Sequence, residues 1–305
     1  MESLRDIRRN IKSVKATQQI MYTMKMVASA RVKKAQNAII SSRPFAVKME
    51  KMLSTLRHEL REGDGTFEGS FVRELVEPVK RREGKALLLI TSDKGLCGSF
   101  NASLFRQATQ WIVENRSSKI YVYVVGRKGR DFIKRLKGAD IEIVEELTGI
   151  FPNAGYVHAE MLGTHILEFF LSRNVESVSA IYSEFRSVMS QKAVLVPFLP
   201  LLPALDDCSG VEDAQCMHLH DFTFEPCKRS LFEQLAPRYV KAQIYRMLLE
   251  SQASELSARM TAMDTASKNA LDLISQLTLK LNRTRQSMIT TELTEIVAGA
   301  EALKN

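Results

Sequence analysis

The sequence lacks the features that would place the chain across a membrane or in an oxidising compartment. It has no stretch of about 18 apolar residues, the length that a membrane-spanning helix needs, so no transmembrane segment is expected. The start, Met1-Glu2-Ser3-Leu4-Arg5, has no apolar core of the kind found in signal peptides. Four cysteines, Cys97, Cys208, Cys216 and Cys227, are too few for a disulfide scaffold in 305 residues. We therefore expect a soluble product on the cytoplasmic side, with reduced thiols.

Glycine is almost absent from both ends of the chain. Thirteen of the 14 glycines lie between Gly63 and Gly210, and only Gly299 lies outside that interval. Positive charge is equally uneven. Residues 1–43 carry ten Lys and Arg against two Asp and Glu, a surplus equal to the whole formal net charge of +8, while residues 44–305 are balanced. This distribution predicts two helical ends around a separately folded, glycine-rich middle.

The N-terminal end has the pattern of one strand of a coiled coil. Residues 1–43 contain neither Gly nor Pro, and as a helix they would be about 65 Å long. A heptad seam with spacings of three and four runs through this segment. Its apolar positions are Leu4, Ile7, Ile11, Val14, Met21, Ala28, Val32, Ala35 and Ile39, with Gln18 and Lys25 completing the series.

The C-terminal end supplies the expected partner helix. Residues 238–298 contain neither Gly nor Pro and would form a helix of about 90 Å. One heptad position is held by Leu249, Leu256, Met263, Ala270 and Leu277, and the other by Ala253, Met260, Ser267, Ile274, Leu281 and Met288. We predict an antiparallel coiled coil of the two ends. The polar seam positions Gln18, Lys25, Ser267 and Thr284 either tune the register of the pair or turn outward toward a third surface, and both interpretations stay open.

The middle of the chain alternates between strand and helix patterns. Apolar runs at residues 86–91, 120–125, 141–144, 178–182 and 191–202 predict five strands, with helices at 100–115, 131–136 and 158–172. Such alternation predicts a small, mostly parallel sheet. The fold class is therefore α/β with long helices, the α/β domain being inserted between the two coiled-coil helices. The predicted domains are 1–60 (N-terminal helix), 61–84 (linker), 85–205 (α/β domain), 206–228 (loop) and 229–305 (C-terminal helix).

Catalytic and metal-binding motifs are largely missing. The loops at residues 91–99 and 126–129 lack the spacings of nucleotide-binding motifs, so a tight turn is favoured over a phosphate cradle. Cys97 has no histidine close in sequence, which favours a structural thiol over a nucleophile. The loose cluster of Cys208, Cys216, His218, His220 and Cys227 has no Cys-x2-4-Cys pair, so a zinc site is only weakly indicated. We expect no catalytic residue, no metal and no cofactor.

The basic N-terminal helix has three possible explanations. Clustered Lys and Arg can contact nucleic acid phosphates, can face acidic protein surfaces, or can form an ordinary solvated face. The heptad seam and the scarcity of aromatic residues in this helix do not favour nucleic acid over a protein partner.

Three separated motifs resemble the gamma subunit family of rotary F-type ATP synthases. They are Leu4–Ala28, the loop Thr91–Asn101 (TSDKGLCGSFN) and the terminal Ile289–Ala300 (ITTELTEIVAGA). The resemblance implies a non-catalytic rotor shaft that transmits torque between a proton-driven membrane ring and a catalytic hexamer of alpha and beta subunits. It also implies a role in regulating ATPase activity and proton flow. Nucleic acid, the alternative partner, then becomes the weaker explanation.

The resemblance also implies contacts for particular residues. Arg285, Gln286, Thr290 and Glu292 match shaft positions that engage catch loops of beta, and Met24 and Lys25 match positions facing its acidic lower part. The segment with Phe222, Phe224 and Glu225 resembles the foot that meets the epsilon subunit and the membrane c-ring.

Cys208 and Cys216 lie about where chloroplast-type gamma subunits carry a redox switch, but the insertion around them is short. The resemblance therefore favours a bacterial-type subunit without redox control. Its expected place is peripheral, at the cytoplasmic face of the cell membrane.

Overall fold

A computed structural model describes residues 3–62, 75, 84–136, 140–172, 175–201, 225 and 227–302. Five helices and five strands follow one another along these residues. In chain order they are α1 (Leu4–Glu62), β1 (Gly84–Ile90), α2 (Phe100–Glu114), β2 (Lys119–Val125), α3 (Arg127–Ile133), β3 (Ile141–Leu147), α4 (Tyr156–Ser172), β4 (Val175–Phe185), β5 (Gln191–Leu199) and α5 (Lys228–Ala302). The chain divides into two compact units, one of residues 31–258 and one of residues 1–30 with 259–305.

The larger unit contains one sheet with the strand order β3-β2-β1-β4-β5. Strands β1 to β4 run parallel, and β5 is antiparallel to β4. The prediction of a mostly parallel sheet is therefore confirmed. A connection of only five residues, 186–190, joins β4 to β5, which suits an antiparallel pair because a parallel pair needs a long crossover. Pro197 lies on the edge strand β5, where its missing N–H does not interrupt a central ladder.

Helices cover both faces of the sheet because its strands are apolar on both sides. On one face, Leu88 and Ile90 of β1 share a buried cluster with Leu53 of α1, Leu162 of α4 and Leu248 of α5. On the other face, Leu87 and Leu89 share a second cluster with Leu104 and Trp111 of α2 and Ile133 of α3. Consecutive β1 side chains thus enter opposite cores, which explains why the strand is an uninterrupted apolar run.

Both long helices extend beyond the proline-free runs that marked them in the sequence. Helix α1 has 59 residues and contains Pro44, and α5 has 75 residues and contains Pro237. A proline inside a helix removes one backbone hydrogen bond and crowds the preceding turn. Here the burial of neighbouring turns offsets that cost. After Pro44 the α1 seam continues through Ala46, Met49, Leu53 and Leu56. On both sides of Pro237 the buried residues are Phe232, Ala236, Tyr239 and Val240.

The two helices pair in the antiparallel direction, as predicted. In the smaller unit Gln18 of α1 bonds Ser267 of α5, whereas Lys25, further along α1, bonds the earlier residue Asp264. In the larger unit a separate cluster joins Val32, Ala35 and Ile39 to Leu249, Ala253 and Leu256. These are seam positions of both predicted heptad series, so the spacing identified the buried faces correctly.

A half-buried ion pair lies where α5 packs on the sheet, with the Arg246 side chain 37% exposed. Glu250 of α5 has a side chain only 13% exposed, and its Oε1 lies 3.6 Å from Nε of Arg246. Its Oε2 has no hydrogen-bond partner. Burial raises the pKa of Glu250, Arg246 and Arg43 partly oppose that rise, and the nearby Glu184 adds to it. Ionised Glu250 is therefore less well accommodated in the folded chain than in the unfolded chain.

Replacing Glu250 by Gln is expected to flatten the dependence of stability on pH. Because the folded pKa lies above the unfolded value of 4.5, the wild-type carboxyl favours folding below that value, and the contribution is lost as the pH rises through the folded pKa. The amide introduced by Glu250→Gln cannot ionise, so the variant should lose less stability than the wild type between pH 5 and 8. Urea unfolding across this range measures the difference. Glu295→Gln, an exposed site on the same helix, should show the wild-type slope, and an equal slope in both variants would refute the assignment.

Candidate interaction surfaces

The edge of the sheet where parallel folds usually bind ligands is tightly closed by the chain itself. Thr91, directly after β1, donates its hydroxyl to the Val125 carbonyl and accepts the Gly129 N–H, both at 2.8 Å. Gly126 has φ +94°, and a Cβ there would stand 2.4 Å from the Thr91 carbonyl oxygen; a Cβ on Gly129 would stand 2.6 Å from the Thr91 hydroxyl. The turn from β2 into α3 therefore needs glycine at 126, where two backbones approach closely, and at 129, where the Thr91 side chain takes the space of a Cβ.

Asp93 bonds the backbones of two further strand-end loops. Its Oδ1 accepts the N–H of Arg127 at 3.2 Å and of Gly149 at 2.9 Å, and its Oδ2 accepts the N–H of Phe151 at 3.4 Å. These amides could otherwise have received a phosphate group. The geometry therefore agrees with the tight turn favoured by the sequence and not with the phosphate cradle.

The burial and the neighbours of Cys97 are those of a structural thiol. Its side chain is buried and lies 3.2 Å from Nδ2 of Asn101 and 3.8 Å from the Ser92 hydroxyl. Two histidines bond other groups: His158 accepts the Gly155 N–H, and His165 pairs with Glu145. Buried beside Asn101 and Ser92, Cys97 has the surroundings of a structural thiol.

No metal site forms within the described residues, where His, Cys, Asp and Glu never gather in a group of three or more suited to an ion. Four members of the weak zinc cluster, Cys208, Cys216, His218 and His220, lie outside those residues, so that hypothesis stays untested. Cys227 is exposed, and its sulfur accepts the Ser230 N–H at 3.5 Å. Across the described ranges, no helix is long and apolar enough to cross a membrane.

In the smaller unit the polar seam residues bond across the helix pair. Gln18 donates to the Ser267 hydroxyl at 3.1 Å, and Nζ of Lys25 lies 2.6 Å from Oδ1 of Asp264. Lys268 approaches the other Asp264 oxygen at 2.9 Å. Hydrogen bonds from Lys25 and Lys268 lower the pKa of Asp264. Of the two interpretations left open, register tuning is favoured for Gln18, Lys25 and Ser267, and the half-buried Thr284 also stays on the seam.

Breaking this pair should weaken the helix pairing in a pH-dependent way. Because Asp264 has a depressed pKa, it favours folding above its unfolded value of 3.8, and that contribution is lost as the pH falls through the folded pKa. Lys25→Met should therefore destabilise the chain at pH 7 and approach the wild type near pH 3. Circular dichroism melts at both pH values test this. The exchange of Lys25 for Asp and Asp264 for Lys should restore stability, whereas exposed Lys33→Met should have no effect; equal losses at pH 7 and pH 3 would contradict the assignment.

The C-terminal part of α5 packs against no other helix among the described residues of its unit. Every residue from Arg285 to Ala300 is exposed, and we call residues 285–300 the overhang. Since α1 begins at Leu4 and the pair is antiparallel, the burial of α5 ends near Thr284. The overhang nevertheless carries exposed apolar side chains, namely Met288, Ile289, Leu293, Ile296 and Val297. A row of apolar side chains on an isolated helix is typical of a protein interaction surface.

Four of the residues singled out by resemblance lie on the overhang. Arg285, Gln286 and Glu292 have exposed side chains, and the Thr290 hydroxyl donates to the Gln286 carbonyl at 2.9 Å. The other five lie elsewhere in the chain. Met24 is half-buried and Lys25 bonds Asp264, whereas Glu225 is exposed; Phe222 and Phe224 lie outside the described residues.

The paired part of the smaller unit exposes further apolar residues that the heptad seam did not indicate. They are Ile20, Tyr22, Met26 and Val27 on α1 and Leu271, Leu273 and Leu279 on α5. The signal was present in the sequence, because Ile20 and Val27 stand seven residues apart and thus share one helix face. The first turns of α1 add cations to this surface at Arg5, Arg8, Arg9, Lys12 and Lys15, of which Arg9 pairs with Asp6.

Comparisons with known proteins give one consistent result. A family model described as ATP synthase matches residues 3–303. The chain is 47% identical to the ATP synthase gamma chain of Elusimicrobium minutum, covering 99% of each sequence, and 40% identical to that of Anaeromyxobacter sp. strain Fw109-5 over the full length of both.

Solved structures agree with this result. The central stalk and c-ring structure of the Tetrahymena thermophila mitochondrial ATP synthase matches 81% of this chain and 99% of its own, with a TM-score of 0.58 and 25% identity. A chain of the Euglena gracilis mitochondrial ATP synthase shares the fold, with a TM-score of 0.65 at 18% identity over 98% of this chain and 94% of its own.

Proposed function

The chain belongs to the ATP synthase gamma chain family, and on that premise we propose which of its surfaces meets which partner. As a member of that family it is a central-stalk rotor subunit and a non-catalytic component of the enzyme. The closed sheet edge and the unpaired overhang are consistent with such a role. The comparisons provide no support for the nucleic-acid alternative.

The overhang is the part that turns inside the ring of alternating alpha and beta subunits. The observation that carries this proposal is the complete exposure of residues 285–300, with five large apolar side chains among them. Exposure of these apolar side chains to water is unfavourable in free energy. An apolar surface that surrounds the helix would bury them and so favour binding. Arg285, Gln286, Thr290 and Glu292 are then the polar groups available to the catch loops of beta.

The paired part below the overhang biases the catalytic subunits. Around the helix pair the surface differs by direction, since one side belongs to α1, with Lys15, Ile20 and Val27 exposed, and the other to α5, with Leu271 and Leu279 exposed. A rotor of this kind offers each of three equivalent subunits a different surface at any moment. Because a contact shifts a conformational equilibrium only by its differential energy for the two states, this asymmetry can couple rotation to catalysis. Met24 and Lys25 lie in this region, with Lys25 acting through its pairing with Asp264.

The foot segment containing Phe222, Phe224 and Glu225 contacts the epsilon subunit and the membrane c-ring. Support comes from the family resemblance of this segment and from the exposure of Glu225. The matched relatives named above for their sequences are bacterial. We therefore place the subunit peripherally at the cytoplasmic face of the bacterial cell membrane, with activity independent of any Cys208–Cys216 redox change.

Photo-crosslinking in the intact complex tests these assignments. A benzophenone side chain at Leu293, which is 58% exposed on the overhang, should capture alpha or beta subunits when the complex is purified from its native source. The same group at Glu225 should capture epsilon or the c-ring. Capture of epsilon from Leu293, or of alpha and beta from Glu225, would reverse the proposed orientation, and a chain that purifies without alpha and beta would contradict the assembly.

A further inference from the structure

We propose that Asp93 is a built-in anion occupying the place where parallel α/β sheets commonly bind phosphate groups. Once its side chain is removed, the three backbone amides around it form a binding site for a small carboxylate or an inorganic oxyanion. The inference concerns the larger unit alone and does not depend on assembly with other subunits.

The position of Asp93 is the first argument. It follows β1, whose neighbour β2 in turn adjoins β3, so the ends of three parallel strands meet beside it. Ligands of such sheets bind outside these carboxyl ends, and convergent backbone N–H groups there can bind anions. In this chain the convergent N–H groups belong to Arg127, Gly149 and Phe151, and one carboxylate receives all three.

The amides should keep their places without the carboxylate, because other bonds hold both segments that carry them. After β3, where Gly149 and Phe151 lie, Asn153 donates its N–H to the Ile150 carbonyl at 2.9 Å. Three further bonds hold the turn from β2 into α3. Gly126 donates its N–H to the Leu147 carbonyl at 2.8 Å, and Lys128 donates its N–H to the Ser92 carbonyl at 3.1 Å. Gly129 donates to the Thr91 hydroxyl at 2.8 Å. None of these bonds uses Asp93. A site that is already organised needs little reordering to accept a ligand.

Charge around the loop also favours an anion. Lys94, Arg127 and Lys128 are exposed, and none of them forms an ion pair among the described residues. Lys128 extends over the Asp93 loop, with its Cε 4.0 Å from the point where a Cβ on Gly95 would stand. Without Asp93 the loop would combine three amide donors with three cations, and the resulting positive potential attracts anions.

The test is the thermal unfolding of the full chain carrying Asp93→Ala in sodium formate, sodium phosphate or sodium chloride at equal ionic strength. Formate reproduces the missing carboxylate, and phosphate probes an oxyanion. In both salts we expect a saturable rise of the unfolding midpoint by about 3 °C at ten times the dissociation constant. The wild type, whose amides are occupied, should unfold at the same temperature in formate as in chloride.

Asp131→Ala is the matched control, because it removes one carboxylate from the neighbouring helix α3 without vacating the amides. A saturable response in Asp131→Ala equal to that of Asp93→Ala, or no response in either, would overturn the proposal. If Asp93→Ala does not fold in chloride, the yield of folded chain purified in formate becomes the measurement. Equal failure in all three salts would also overturn the proposal.

Discussion

Deleting residues 285–305 is expected to leave the rest of the chain folded while lowering the rate of coupled ATP synthesis at least about tenfold, which corresponds to about 1.4 kcal/mol of activation free energy. The side chains from Arg285 to Ala300 are all exposed, so their removal takes no packing from the fold. The apolar side chains of the overhang are exposed in the isolated chain, and in the assembled enzyme they provide the surface proposed to turn against alpha and beta. Synthesis by membrane vesicles containing the truncated subunit measures the effect.

Two controls separate loss of function from loss of fold. The unfolding midpoint of the truncated chain should match that of the full chain, and deletion of residues 301–305 alone should retain coupled synthesis. Normal synthesis with residues 285–305 absent would show that the overhang is dispensable. A large fall in the unfolding midpoint would instead show that these residues support the fold.

Replacing Gly126 by Ala is expected to destabilise the larger unit by about 3 kcal/mol, or about 8 °C in the unfolding midpoint. Two free-energy costs add at this position, one from the backbone conformation and one from a steric clash. The backbone has a φ of +94°, which an L side chain rarely adopts, and the new Cβ would stand 2.4 Å from the Thr91 carbonyl oxygen. Thr91 cannot withdraw easily, since its N–H and hydroxyl both bond the Val125 carbonyl. Differential scanning calorimetry of the full chain gives the midpoint.

Gly149→Ala provides a control for the conformational part of this effect. Gly149 has φ +82°, but no atom lies within 4 Å of the position that a Cβ would take. Its replacement should therefore cost only the backbone penalty, about 1 kcal/mol. If the two variants were equally unstable, the close approach of Gly126 to Thr91 would not be the cause.

The strands and the seam could be predicted from sequence because each depends on a local pattern. A buried parallel strand is a short apolar run, and Leu87 to Ile90 shows it directly. A helix pair requires spacings of three and four, which Val32, Ala35 and Ile39 follow. Pro44 and Pro237 ended the proline-free runs, but the predicted helical segments 1–60 and 229–305 already extend past them. Pro44 and Pro237 are tolerated because burial on both sides of each proline outweighs one lost hydrogen bond, and that balance is set by tertiary packing.

The remaining features depend on contacts between residues far apart in the sequence. The resemblance implies that Lys25 faces another subunit, and only the structure shows that its ammonium also bonds Asp264 across the helix pair. Asp93 belonged to a motif that was recognised, but its three amide partners lie in two loops that only the sheet order brings together. The face of Ile20 and Val27 is an exception, because their seven-residue spacing is local, and the assignment of a single heptad seam did not include it.

The central claim is that the helix pair turns within the hexamer of alpha and beta subunits. A reversible disulfide between the helix pair and that hexamer tests it most directly. Leu279 is 68% exposed and lies where α5 still pairs with α1, so a single helix cannot swivel there to relieve strain. In the intact complex, Leu279→Cys would be joined by a disulfide to a facing cysteine on an alpha or beta subunit. If the helix pair turns within the hexamer, ATP hydrolysis should fall to the level of the uncrosslinked fraction and return on reduction. Unchanged hydrolysis in fully crosslinked complexes would contradict the account.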